Sequence, residues 1–156
     1  MAAGIFDLNT PSQFFDSIRR ILDRYKSSNA KDIEDLLYVL MGLNHLREWI
    51  SPGYDPFKRQ PQNPQEHFYN AIWENHSFKK IKALCNRTKH LQPISEKTSS
   101  THGIPLDDWP NVDAVRNFDL GPPSNYFVDG ENVIEVIDEI VRFYQDNWFN
   151  LFKRTR

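Results

Sequence analysis

The 156-residue chain has little cysteine, little glycine and no long apolar run, and each shortage closes a route. Its one cysteine, Cys85, can form neither an intrachain disulfide nor a cysteine-built zinc cage, so a cytoplasmic protein is the expectation. Six glycines do not group into a phosphate-cradling loop. The longest apolar run, residues 36–43, falls far short of the roughly 20 residues a spanning helix needs. Residues 1–9 have neither the basic start nor the apolar stretch of a signal peptide. No membrane association is expected. The five histidines show no metal-binding spacing such as His-Glu-x-x-His, so no metal and no cofactor is expected. Charge of one sign is missing too: 19 basic against 21 acidic residues give a net charge of -2. That excludes a generally basic nucleic-acid coat and an acidic tail, and confines any electrostatic function to a local patch.

What is present suits one packed domain, residues 1–156. Hydrophobic residues at 39% supply a core, and 13% aromatics predict several ring contacts inside it. Thr10-Pro11 with Gln13 forms a capping-box pattern, and Phe14, Phe15, Ile18, Ile21, Leu22 and Tyr25 follow at helical spacing. Asn29 is placed to cap a second helix over 30–50. Leu36, Leu40 and Leu43 line one side of it, and Val39, Leu46 and Ile50 line the other, the pattern of a central helix. Asn63-Pro64 with Glu66 starts a short third helix carrying Phe68, Ile72 and Trp73. A fourth spans 77–91, with Cys85 on its apolar arc and therefore in the core. Residues 93–131 hold five prolines and weak periodicity. They read as an insertion in which 112–120 and 125–128 carry the pattern of a short β-hairpin, packed on the helices through Trp109, Phe118 and Phe127. A last helix runs from Asn132 to about Phe152, with Phe149 and Phe152 off its main stripe. The fold class is all-α: a four-helix bundle with a proline-bearing insertion before the last helix.

Three features could carry chemistry. At the end of the second helix the core-facing stripe turns polar, giving Asn44 and Arg47, with Glu48 beside them. Unpaired burial of such groups costs about 1–3 kcal/mol each. Either this end emerges into solvent or cross-links neighbours, or it lines a functional cleft. At the end of the fourth helix, Asn86 and His90 share a face, flanked by Arg87 and Lys89. His90 has the chemistry of a general acid or base, and Arg87 and Lys89 that of phosphate contacts. The same cations also suit any helix C-terminus, where they favour the macrodipole. Finally, Lys79, Lys80, Lys82, Arg87 and Lys89 make the fourth helix basic, while Glu131, Glu135, Asp138, Glu139 and Asp146 make the last one acidic. The two helices pair as neighbours, or the basic one faces RNA or an acidic partner. No aromatics interleave with the basic residues along the fourth helix, so base stacking is not indicated there.

Leu43-Asn44-His45-Leu46-Arg47-Glu48-Trp49, Asn86-Arg87-Thr88-Lys89-His90 and Tyr126-Phe127-Val128-Asp129-Gly130, leading into a helix ending Tyr144 to Trp148, form a spaced set. It resembles the HEPN-like helical proteins of bacteria, over roughly residues 33–152. The resemblance implies a four-helix bundle, a homodimer, and action on RNA or on a protein partner in a toxin–antitoxin or anti-phage defence system. It implies either a variant ribonuclease or a non-catalytic interaction module. Catalytic members carry an Arg followed four to six residues later by His. Here Arg59 lies too far ahead of His67, and Arg87 too close to His90. A variant site would use His90, Arg47 and Asn86 as catalytic residues, with Asn44, Glu48, Arg87 and Lys89 holding the substrate.

Overall fold

Thr10 caps the first helix as its sequence predicts: its hydroxyl accepts the Gln13 N–H, and the Gln13 side chain returns to the Thr10 N–H. The computed structural model describes residues 7–29, 31–89, 112–116, 123–128 and 130–153. These are mostly helical. The elements are α1 (Pro11–Ser27), α2 (Ile33–Ile50), α3 (Pro64–Trp73), α4 (His76–Lys89), β1 (Val112–Arg116), β2 (Pro123–Val128), β3 (Glu131–Asn132) and α5 (Val133–Tyr144). A π-helical turn, Gln145–Phe149, and α6 (Asn150–Lys153) continue α5. None of the described helices is long and apolar enough to cross a membrane.

Two helix starts differ from expectation in detail. Asp32, not Asn29, caps α2 by accepting the Glu34 N–H, which delays the helix to Ile33. Asn63 does cap α3, but Glu66 does not fold back on it; its carboxylate is taken by Arg59 and the Gln62 N–H.

Side-chain contacts set the directions of the four longest helices. Arg24 meets Asp35 and Phe14 meets Trp49, so α1 and α2 are antiparallel. Cys85 lies against Leu40 and Phe78 against Arg47, so α2 and α4 are antiparallel as well. Lys80 reaches Glu131 and Ser77 reaches Glu139, which reverses α5 against α4. Lys26 on Asp138 and Phe15 on Tyr144 close the circuit between α5 and α1. Val39, Leu43, Leu46, Ile72, Ile81, Ile137 and Ile140 fill the space between. Each such side chain contributes about 1.5–3 kcal/mol by leaving water. Gly42 lets α1 approach α2: a Cβ there would stand 2.8 Å from the Ile18 side chain.

The expected hairpin is present as backbone. β1 pairs antiparallel with β2, Val112 opposite Val128, with a register shift at Val115/Arg116, and two residues of β3 extend the sheet. Val128 is buried in the helical core and Phe127 is half-buried. Trp109 and Phe118, the other expected anchors, lie outside the described residues.

The π-helical turn explains an aromatic that the helical period misplaces. The Asn150 N–H reaches the Gln145 carbonyl, five residues back, so the turn holds one residue more than an α-turn. The inward stripe therefore passes from Tyr144 to Phe149, which stacks on Phe15 with ring centres 4.4 Å apart, while Leu151 is left exposed.

Candidate functional site

The polar end of α2 divides: Asn44 and Arg47 turn inward, while His45 and Glu48 stay half in water. Asn44 and Arg47 are both buried, Arg47 to 6% exposure. Three rings surround the Arg47 guanidinium: Trp73 at 4.8 Å, Phe78 at 4.9 Å and Tyr69 at 5.3 Å from ring centre to Cζ. Ring faces carry negative charge density, so they replace part of the hydration that burial removes. One guanidinium nitrogen donates to Asn44 Oδ1 at 3.3 Å. Glu48, half in water, lies 3.9 Å away and also meets His45 Nδ1 at 3.3 Å. Arg47 Nε has no hydrogen-bond partner among the described residues. The enclosure reaches further through backbone and core groups. Tyr144 donates its hydroxyl to the Leu43 carbonyl at 2.7 Å, and burial pushes its phenol pKa up. Cys85 sits over the Leu40 carbonyl, and burial pushes its thiol up to about 12, which makes it a core residue rather than a nucleophile.

The other predicted site residues sit elsewhere. Because α2 and α4 are antiparallel, with Leu40 level with Cys85 and Arg47 level with Phe78, Asn86 lies near the level of Val39. Eight residues at 1.5 Å rise put it about 12 Å along the axis from Arg47. Asn86 is exposed and Arg87 half-buried. Arg47 and Asn86, expected to converge in one catalytic site, are thus not brought together. His90 lies outside the described residues, and of Lys89 only the backbone is described.

The basic helix divides into two faces. Lys80 is buried and 2.5 Å from Glu131, whose carboxyl its ammonium holds below the ordinary range. Ser77 binds Glu139. This part of α4 pairs with its acidic neighbour, one of the two expectations above. Lys79, Lys82 and Asn86 recur at helical spacing on the other face, with Lys79 near Glu74 at 3.7 Å. Lys82 places its ammonium 3.9 Å from the centre of the Trp73 ring. The aromatic partner missing from α4 itself is therefore supplied by α3.

Sequence spacing gave no hint of Trp73 in this role, because the contact joins two helices. Nor did it single out Phe57, which meets Trp73 edge-on at 5.9 Å from the loop between α2 and α3. That loop, residues 51–63, is pinned throughout. Tyr54 donates to the Asn70 side chain at 3.1 Å and to the Arg59 carbonyl at 3.3 Å. The forked guanidinium of Arg59 grips buried Glu66, and its hydrogen bonds bring that carboxyl down to about 2. Among the described residues no group of three His, Cys, Asp or Glu could hold a metal ion.

Compared with known protein families, with curated proteins and with solved structures, the chain matches none.

Proposed function

We propose that this chain is a HEPN-like helical bundle that binds RNA without cleaving it. One observation carries the reading: Lys82, on the exposed side of α4, lies on the ring of Trp73, so cation and aromatic share one surface. Cations on such a surface meet phosphates. The variant ribonuclease loses support from the same geometry. A phosphate-binding arginine must reach its substrate, whereas Arg47 is sealed among rings and stands about 12 Å along the helix axis from Asn86. The alternation of α1, α2, α4 and α5 agrees with the bundle that the resemblance implies.

Titration of a labelled RNA by fluorescence anisotropy, at several salt concentrations, tests this. Binding weakens with salt. The double substitution Lys79→Gln, Lys82→Gln weakens it further and reduces the salt slope by about 1.4, two phosphate contacts at about 0.7 each. The RNA is recovered intact on a denaturing gel. Absence of binding at low salt overturns the reading. RNA cleavage that Asn86→Ala abolishes in a folded protein overturns its non-catalytic part.

A further inference from the structure

We infer that Phe57 is a stacking platform for one unpaired nucleobase, and that it makes the surface prefer single-stranded RNA over duplex. This rests on the RNA-binding reading above and specifies its ligand.

Phe57 is 83% exposed. A ring left in water forgoes the stabilisation that burial would give it. This one is not merely loose. Pro56 precedes it and fixes the backbone there. Its own N–H donates to Asp55 Oδ1 at 2.9 Å, and the Lys58 N–H donates to the Asp55 carbonyl at 3.1 Å. Tyr54 and the Arg59–Glu66 fork hold the two sides of the loop. Trp73 supports the ring edge-on at an 85° angle, a contact that leaves a broad part of Phe57 open. An aromatic displayed on a pinned loop loses little freedom when a ligand stacks on it.

The surroundings select the ligand. The other large hydrophobics exposed among the described residues, Ile33, Tyr38, Met41 and Leu151, belong to α2 and α6 rather than to this loop. A protein partner needs a wider apolar centre than one ring. A nucleobase is flat, matches one ring, and carries its phosphates outward. Lys58, with its side chain 81% exposed, follows Phe57 directly, and Lys82 lies beyond it on Trp73. The ion pair of Lys58 with Asp55, 3.6 Å apart at the surface, is weak enough to yield to a phosphate. In a duplex the base faces are already stacked, so Phe57 has nothing to receive there.

The experiment compares wild type, Phe57→Ala and Phe57→Tyr against three probes of matched charge: a short single-stranded RNA, an abasic strand and an RNA hairpin duplex. Wild type is expected to bind the single strand at least 10-fold more tightly than the other two. Phe57→Ala is expected to lose about 10- to 100-fold on the single strand alone, the worth of one base–aromatic stack. Phe57→Tyr restores it. An unchanged thermal midpoint checks that Phe57→Ala is folded. If wild type binds RNA but Phe57→Ala leaves single-strand affinity unchanged, the inference fails while the RNA-binding reading stands. If Phe57→Ala weakens all three probes equally, the ring is not stacking a base and the inference fails. If wild type binds no RNA but binds poly-glutamate through Phe57, both fail and the surface belongs to an acidic peptide.

Discussion

The ends of α2 and α4 look alike in sequence, but their amides, Asn44 and Asn86, stand in opposite surroundings. Each finishes in a run of amide, cationic and histidine side chains. At the end of α2, Asn44 and Arg47 are turned inward, while His45 stays half in water. Arg47 is walled by Tyr69, Trp73 and Phe78, and the chain beyond is pinned by Arg59 and Glu66. At the end of α4, Asn86 stands in water. Among the described residues, what separates the two is the supply of aromatic neighbours from other helices. Polar residues on a core-facing stripe mark a cleft only when nothing closes over them, and here α3 and α4 close over Arg47.

Removing the wall's contents should give the largest effect. Arg47→Ala is expected to cost about 2–4 kcal/mol in urea unfolding, since it deletes a desolvated cation–ring contact and leaves a cavity. Arg47→Met should lose less, because it refills the space and needs no hydrogen bonds. Equal loss for both would mean that the charge, not the packing, matters most. Tyr144→Phe comes next, at about 1 kcal/mol, from the hydrogen bond to the Leu43 carbonyl.

The loop after α2 gives a smaller, pH-dependent effect. Glu66 has its carboxyl lowered from 4.5 to about 2 in the folded protein. The unfolded state therefore binds the proton first as pH falls. Stability from this group is complete above pH 4.5 and is lost progressively toward pH 2. Thermal midpoints measured across that window should fall for wild type, and Glu66→Gln should flatten the part of the fall that this group supplies. Asn86→Ala at the open end should change stability by no more than about 0.5 kcal/mol, as for any exposed site without a special contact. A larger loss would show that the open end is packed after all.

The helices were legible because their cues are local. Thr10 with Gln13, Asn63 with Pro64, and the stripes of α1 and α5 lie within a few residues of one another. Cys85 was legible as core for the same reason. The hairpin was readable from its strand pattern, with β1 described over Val112–Arg116 and the rest of the expected first strand, residues 117–120, outside the described residues. The site was not legible in the same way. Trp73 touches Arg47 and Lys82 from a different helix, and no spacing along one element encodes that. Asn86 and Arg47 each look like site residues alone, but the antiparallel register of α2 and α4, which sets their separation, is a tertiary property.

The π-helical turn has a consequence for reading frame. It acts as a one-residue insertion inside a helix, and everything beyond it is rotated by about 100° from the line that precedes it. Phe149 is in the core only because of that extra residue, and Leu151 is outside for the same reason. Deleting Asn147 would restore an unbroken α-helix and keep Phe149 on the inward line, four places after Tyr144 instead of five, with Leu151 still outside. The last turns of the chain are thus a splice: a different alignment of the same letters would present a different face.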